Sequence, residues 1–288
     1  MFATMTIDSV NRQLISALDS IYDAREAASI TSMVLEKITG MTRSLRLIQR
    51  QDELTPSQVL LFQQYLAELM QHRPVQYVLG EAWFAGLRFY VDENVLIPRP
   101  ETEELVEWIL VDLQMPMPPD FRALDIGTGT GCIPISLGKK QKYIQLMACD
   151  ISPAALDIAR KNSITNQVEV AFFLCDIRDA ESREKMPALN LIMSNPPYIP
   201  EKQKAQLDKH VKLFEPELAL FVPNNDPIVF YKLIGQLAKK KLFAGGKLFL
   251  ELHQDFAREI VHWYRENGFS TELRKDLSGK NRMLRAQF

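Results

Sequence analysis

Cysteine is scarce in this chain. Cys132, Cys149 and Cys175 are the only three among 288 residues, they stand far apart, and no CxxC pair occurs. An odd, scattered set supports neither a disulfide framework nor a zinc finger, and the three are read as reduced, buried thiols. Histidine is equally sparse. His72, His210, His253 and His262 show no ligand spacing such as HExxH, so no metal site is expected. No apolar run approaches the roughly 20 residues of a membrane helix, and the opening MFATMTIDSV lacks the basic start and apolar centre of a signal peptide. A soluble, cytoplasmic protein is the expectation. Positive charge is not in excess either: 34 Lys+Arg face 36 Asp+Glu, a formal net charge of -2. No overall basic surface therefore invites nucleic acid or an anionic membrane.

What the chain does have is 47% hydrophobic residues, enough for one or two domains with a full core. Its first 80 residues read as a small helical bundle. Ile7, Val10, Leu14, Leu18 and Ile21 form one apolar stripe, and Ala27, Ile30, Val34 and Ile38 another, which Gly40 is placed to end. Thr55-Pro56 opens a further helix as N-cap and first helical residue. Between Gly80 and Pro100, aromatic and aliphatic residues among turn formers predict a β-hairpin linker over 81–99. From 100 to 288 strands and helices alternate. Strands are expected at Arg122 to Ile126, Tyr143 to Cys149, Val168 to Leu174, Leu189 to Ser194 and Lys247 to Leu252. Phe269 to Arg274 and Arg282 to Phe288 form a closing hairpin around Ser278-Gly279-Lys280-Asn281. The class is α/β, with a mostly parallel sheet covered on both faces, an antiparallel hairpin at its end and the helical bundle in front.

Three acidic or glycine signals fall at the ends of successive strands. Leu124-Asp125-Ile126 runs into Gly127-Thr128-Gly129-Thr130-Gly131, where alternate glycines let the backbone turn sharply and lie against a ligand. GxGxG differs from the dinucleotide GxGxxG and points to a nucleoside with an amino-acid tail. Asp150 ends the next strand, where a carboxylate can accept from both ribose hydroxyls. Asp176 follows the third, placed to accept from an adenine amino group, with Ile177 beside it to cover the ring. Singly each aspartate is an ordinary turn residue. Their succession along one sheet edge is what points to a ligand.

Asn195-Pro196-Pro197-Tyr198 follows the strand Leu191 to Ser194. Prolines end strands because they cannot donate to a ladder, but this tetrapeptide also carries chemistry. An amide or aromatic amino nitrogen is a poor nucleophile because its lone pair is delocalised. The Asn195 side-chain oxygen can accept one of its N–H groups and the Pro196 carbonyl the other, which pushes electron density onto nitrogen. Tyr198 offers a flat face for a planar group, and in-line positioning supplies much of the remaining acceleration.

These residues in this order resemble class I methyltransferases of the amino-nitrogen type. Gly80-Glu81, Phe84-Ala85-Gly86-Leu87, Pro98-Arg99-Pro100-Glu101-Thr102-Glu103 and Phe214-Glu215-Pro216 narrow the resemblance to the PrmC/HemK family, over nearly the whole chain. That resemblance implies a Rossmann-like methyltransferase sheet and transfer from S-adenosyl-L-methionine, leaving S-adenosyl-L-homocysteine. The implied acceptor is the N5 of the glutamine in the Gly-Gly-Gln motif of bacterial peptide chain release factors. It implies that Gly127, Thr128, Gly129, Thr130 and Gly131 hold the methionine part, Asp150 the ribose, and Asp176 with Ile177 the adenine. Ile177 stands where some relatives carry an aromatic residue. Asn195 would touch both the cofactor methyl region and the substrate amide, and Pro196, Pro197 and Tyr198 the substrate.

Two other functions use the same residues. A DNA or RNA amino-group (N6-adenine type) methyltransferase needs basic surface, yet residues 1–80 carry 7 Lys+Arg against 8 Asp+Glu. Arg274, Lys275, Lys280, Arg282 and Arg285 read as a solvated hairpin face. A non-catalytic adaptor binding the cofactor or the release factor would be expected to depart from Asn-Pro-Pro-Tyr, which is intact. Direct nucleic-acid and membrane partners are not expected.

Overall fold

The structure is a computed structural model describing residues 5–113 and 117–288, so the first four residues of the N-terminal stretch lie outside it. The chain divides into two compact units, Met1–Gly80 with Asp208–Phe214, and Glu81–Leu207 with Glu215–Phe288. Among the described residues no helix is long and apolar enough to cross a membrane, and no three His, Cys, Asp or Glu side chains cluster as metal ligands.

The first unit holds α1 (Ile7–Leu18), α2 (Ala24–Thr39), α3 (Arg43–Ile48), α4 (Pro56–Leu69) and α5 (Val75–Leu79). Its apolar stripes meet in a core that includes Val10, Leu14, Leu18, Ala27, Val34 and Leu69. Gly40 closes α2 in the left-handed conformation, and Thr55 with Gln58 forms a capping box at α4. Helices α3 and α5 are too short to leave a periodic signal in the sequence.

The second unit begins with β1 (Ala82–Phe84) and β2 (Leu87–Phe89), an antiparallel pair turned by Ala85-Gly86, both at positive φ. Then follow α6 (Pro100–Asp112), β3 (Arg122–Ile126), α7 (Cys132–Lys140), β4 (Gln145–Asp150), α8 (Pro153–Asn166), β5 (Ala171–Leu174), α9 (Ala180–Glu184) and β6 (Leu189–Ser194). After the short β7 (Ile199–Pro200) comes α10 (Lys209–Phe214), which clusters with the first unit. The chain ends with α11 (Glu217–Leu220), β8 (Phe221–Val222), α12 (Val229–Lys241), β9 (Leu242–Glu251), α13 (Ala257–Glu266), β10 (Ser270–Lys275) and β11 (Asn281–Gln287).

Seven strands form one sheet in the order β5-β4-β3-β6-β9-β11-β10, parallel through β9 and antiparallel at β11 and β10. Alternation along the strands sends side chains to two cores. Leu191, Met193 and Phe249 pack with α6 and α7 residues such as Leu105 and Ile133. Ile192, Leu248 and Leu250 pack with Ile234 of α12 and Ile260 of α13. A sheet buried on both faces needs continuous apolar strands, and the sequence supplies them.

Several boundaries differ from the sequence expectation. The linker hairpin covers only Ala82–Phe89, because both backbone groups of Tyr90 are taken by the Asn162 side chain instead of a ladder. Val91, Val95 and Ile97 bury as loop residues. Strand β5 starts at Ala171 and not Val168. Gln167 turns left-handed, and the Val168 N–H closes α8 on the Ser163 carbonyl, which consumes those residues in the cap. The basic C-terminal residues are not a uniform solvated face. Arg285 pairs with Asp112 and Glu272, Arg282 with Asp276, and Arg274 lies 4.1 Å from the Trp108 ring centre.

Asn162, fully buried on α8, ties the hairpin to the glycine turn. It accepts from the Tyr90 N–H at 2.7 Å and donates to the carbonyls of Tyr90 and Thr130 at 3.0 Å each. Asn162→Ala strands a buried donor and two carbonyls, so it is expected to lower unfolding free energy by about 1–3 kcal/mol. Urea denaturation checks this. An unchanged midpoint and slope would show that the loop does not depend on the amide.

Candidate active site

The parallel register brings the strand ends to one level. Ile126 pairs with Cys149 and with Ser194, Ser194 with Leu250, and Asp150 with Leu174. Gly127, Asp150, Cys175, Asn195 and Glu251 therefore emerge side by side at the carboxyl edge. The chain order reverses there, since β4 lies on one side of β3 and β6 on the other. That is where open α/β sheets bind ligands.

A cleft of about 240 Å³ opens at this edge, lined among others by Gly127, Gly129, Asp150, Asp176, Ile177 and Asn195. Pro196 and Pro197 also line it. A Cβ on Gly127 or Gly129 would meet no protein atom within 4 Å, while both sit at positive φ. The turn needs glycine there for its backbone, and the space above is left open. Gly131, Thr128 and Thr130 do not line the cleft. Gly131 also sits at positive φ, and a Cβ on it would lie 2.9 Å from Ile135 and 3.3 Å from Ala159, so it serves both the turn and the close packing of α7 on α8. Thr128 and Thr130 are buried.

The turn spends its N–H groups internally. Those of Gly127 and Thr128 donate to the Cys149 carbonyl, that of Gly131 to the Thr128 carbonyl, and that of Gly129 to Asp150 Oδ2 at 2.9 Å. A phosphate cradle needs such groups free. The cleft also carries three carboxylates, Glu93, Asp150 and Asp176, against one cation, Arg178. The donor set thus suits a ligand with positive charge better than a pyrophosphate.

Asp150 Oδ1 accepts from the Ser152 N–H at 3.0 Å. Burial pushes its pKa up, and the backbone donors at Ser152, Gly129 and Ile151 oppose that. Asp176 is held by a two-pronged contact from Arg178, whose Nε and Nη2 donate at 2.8–3.0 Å. Arg178 keeps the Asp176 carboxyl below its ordinary range. Ile177 is buried beside it.

Asn195 follows β6 with its Nδ2 donating to Thr102 Oγ1 at 3.2 Å. Thr102 in turn donates to Glu251 Oε2 at 2.6 Å, and the Tyr198 hydroxyl donates to Glu251 Oε1 at 3.2 Å. Tyr198 is half-buried, with its ring edge-on to His253 at 5.7 Å, and is not part of the cleft lining. Burial raises its pKa strongly, with the Glu251 charge acting the same way. Arg99 donates to the buried Glu215 at 2.5 Å, which joins the Pro98-to-Glu103 stretch to Phe214-Glu215-Pro216.

Sequence reasoning did not single out Glu251, Arg178 or the separate role of Thr102. Glu251 left one signal, a carboxylate closing the apolar run Leu248-Phe249-Leu250 at the edge where ligands bind.

Residues 107–216 match the methyltransferase small domain, and residues 11–80 match the PrmC N-terminal domain. A release factor glutamine methyltransferase from Flavobacterium psychrophilum is 39% identical over 99% of this chain and 100% of its own. The chain belongs to the release factor glutamine methyltransferase family. A second member of that family, from Bacteroides thetaiotaomicron, is 36% identical over 94% of this chain and 96% of its own. Among solved structures, a methyltransferase from Pyrococcus furiosus superposes with a TM-score of 0.50 at 16% identity, covering 70% of this chain and 88% of that one. At that identity the likeness speaks for the fold alone.

In this family member a further carboxylate sits beneath the cleft. Asp125 is completely buried, and neither its oxygens nor the Thr128 hydroxyl have a hydrogen-bond partner within normal distance among the described residues. Burial pushes Asp125 from 3.8 up to about 7, with the Asp150 charge adding to the rise and the nearby Thr128 hydroxyl opposing it. A carboxyl raised in the folded state stays protonated there while the unfolded chain has already ionised, so stability falls as pH rises through that interval. Relative to Asp125→Asn, the wild type is expected to lose stability between pH 3.8 and about 7 and to change little above it. Urea denaturation across that range checks the sign. Parallel curves for the two proteins would show that Asp125 titrates normally.

Proposed function

We propose that this chain transfers a methyl group from S-adenosyl-L-methionine to the side-chain N5 of the glutamine in the Gly-Gly-Gln motif of peptide chain release factors. The observation that carries the reading is the Asn195 amide, held by its nitrogen at the rim of an anionic cleft in a member of this family. Its Oδ1 remains as an acceptor.

The cofactor, when bound, supplies a methyl on a positively charged sulfur. Gly127 and Gly129 would floor its amino-acid part, Asp150 would accept from its ribose, and Ile177 would cover its adenine. Thr128, Thr130 and Gly131 would act on it indirectly, by shaping the turn. Asp176 can take an adenine amino group only through lone pairs that Arg178 leaves open. The carboxylates of the cleft favour a cation.

The protein's part is to hold the target amide. Asn195 Oδ1 accepts one N–H and the Pro196 carbonyl accepts the other, while Pro197 fixes the direction of that carbonyl. These acceptors would leave the nitrogen lone pair available for the new N–C bond. The methyl's bond to sulfur would break with its electron pair staying on sulfur, and the nitrogen would lose one proton. Methylglutamine, the neutral thioether and one proton are the products. Tyr198, anchored by its hydroxyl on Glu251 and edge-on to His253, would offer its ring to the substrate amide. A release-factor substrate implies action in the cytoplasm.

Asn195→Ala removes the acceptor that aligns the nitrogen. Methylation of a Gly-Gly-Gln peptide is expected to fall by about 100- to 1000-fold, about 2.7–4 kcal/mol in the barrier, while folding changes little. Labelled cofactor incubated with peptide or with oligonucleotide tests both the variant and the reading. Label entering the oligonucleotide, or neither substrate, would favour an amino-group nucleic-acid enzyme or an adaptor.

We assign the docking of the intact release factor to the first unit. Leu47 and Ile48 on α3 are 67% and 80% exposed, and the exposed Arg43 and Arg50 flank them. An exposed apolar pair edged by arginine is the composition of a protein contact. Leu47→Ser with Ile48→Ser is expected to lower kcat/KM on intact release factor by about tenfold and to leave the rate on a short peptide unchanged. Equal losses on both substrates would remove the docking role.

A further inference from the structure

We propose that Glu251 and Thr102 are positioning residues that fix which way the Asn195 amide faces. The inference rests on the reading of Asn195 Oδ1 as the acceptor for the target nitrogen. It concerns two residues 149 positions apart in sequence, one opening α6 and one ending β9.

An asparagine amide has an oxygen that only accepts and a nitrogen that only donates, and the two ends have nearly the same shape. Nothing in the shape of the pocket need distinguish them. What distinguishes them is the hydrogen count of the partner. Thr102 has one hydroxyl hydrogen, and it goes to Glu251 Oε2 at 2.6 Å, within the range of a charge-assisted bond. The Thr102 oxygen can then only accept, so the group facing it at 3.2 Å must be the Asn195 nitrogen. Oδ1 is thereby turned away from Thr102. If the amide were reversed, two acceptors would face each other and the target N–H would meet a donor.

Glu251 is suited to this because it is a buried carboxylate whose two oxygens take, among the described residues, the hydroxyl donors Thr102 and Tyr198. Its backbone is held as well. The Tyr231 hydroxyl donates to the Glu251 carbonyl at 3.1 Å, and Tyr264 donates to the Tyr231 carbonyl at 2.8 Å. A carboxylate accepts at both oxygens, so Thr102 and Tyr198 are both fixed as donors. A glutamine of the same size has one accepting end and one donating end. One of the two hydroxyls must then reverse, and if it is Thr102, its hydrogen turns onto Asn195 and demands the oxygen there.

The experiment compares Thr102→Val, Thr102→Ser, Glu251→Gln and Asn195→Ala, with the pairs Asn195→Ala/Thr102→Val and Asn195→Ala/Glu251→Gln. Thr102→Val and Glu251→Gln are expected to lower kcat on a Gly-Gly-Gln peptide by about 10- to 100-fold, with cofactor affinity close to wild type. A lower urea midpoint is expected for Thr102→Val, which leaves a buried Glu251 oxygen without its donor. Thr102→Ser, which keeps the hydroxyl, is expected to recover most of the rate. In the Asn195→Ala background Thr102→Val should not lower kcat again, because a residue acting through Asn195 has nothing left to orient, and Glu251→Gln should lower it less than in the wild type, through Tyr198 alone. In the protein without substrate, the nitrogen and proton resonances of the Asn195 side chain should move in Thr102→Val and stay in Thr102→Ser. Wild-type kcat in Thr102→Val and Glu251→Gln, or losses of the same size with and without Asn195, would overturn the proposal while leaving the methyl-transfer reading intact. An inactive wild type, or an Asn195→Ala variant as fast as wild type, would instead overturn that reading and the proposal with it.

Discussion

The parallel register of β4, β3, β6 and β9 is the constraint on which the rest of this structure depends. Parallel strands pair evenly, and their connections must run back over the sheet. All their carboxyl ends therefore lie at one edge. Here the pairs Ile126 with Ser194 and Ser194 with Leu250 bring the loops after β3, β6 and β9 to the same height. A one-residue slip in any pair would reverse the alternation of its side chains between the two cores. The apolar runs that fill both faces thus also set the positions of Gly127, Asn195 and Glu251. Packing and site geometry have the same origin.

Electrostatics then gives the edge its character. Carboxylates outnumber cations in the cleft lining, where Arg178 is engaged by Asp176. Arg282 and Arg285 are drawn to Asp276, Asp112 and Glu272 away from the cleft lining, and Arg99 is spent on Glu215. Burial raises the pKa of Asp125, Asp150 and Glu251. Asp150 offsets that cost with backbone donors and Glu251 with Thr102, Tyr198 and the Arg282 charge, whereas Asp125 has no such bonds. Buried unpaired carboxyls are expensive to the fold, and an anionic floor gains most where the ligand above it is a cation.

How much of this was legible in the sequence depends on how local each signal is. The stripe of α1 and the caps Gly40 and Thr55 were readable because each depends on neighbours within one or two turns of helix. Gly127, Gly129, Asp150 and Asn195 were readable because a strand end followed by a turn fixes where a residue must stand. The length of the hairpin was not, because the Tyr90 backbone is claimed by Asn162, 72 residues away. The inward packing of Thr128, Thr130 and Gly131 was hidden for a similar reason. All three glycines of the turn sit at positive φ and look identical as letters, and only the closeness of Ile135 and Ala159 shows that Gly131 also admits a neighbouring helix.

Tyr198 shows the limit most clearly. Its place in Asn-Pro-Pro-Tyr made it a stacking platform on paper, and the bond from its hydroxyl to Glu251 could not be read there. A tyrosine with its hydrogen on a buried carboxylate is anchored at its polar end, which restrains the prolines before it. Glu251 holds Tyr198 directly and Asn195 through Thr102, so both ends of the motif refer to the same carboxylate. On the proposed reading a weak nucleophile needs two acceptors at a set separation, and a motif tied at Asn195 and Tyr198 to one buried carboxylate would hold that separation before the substrate binds.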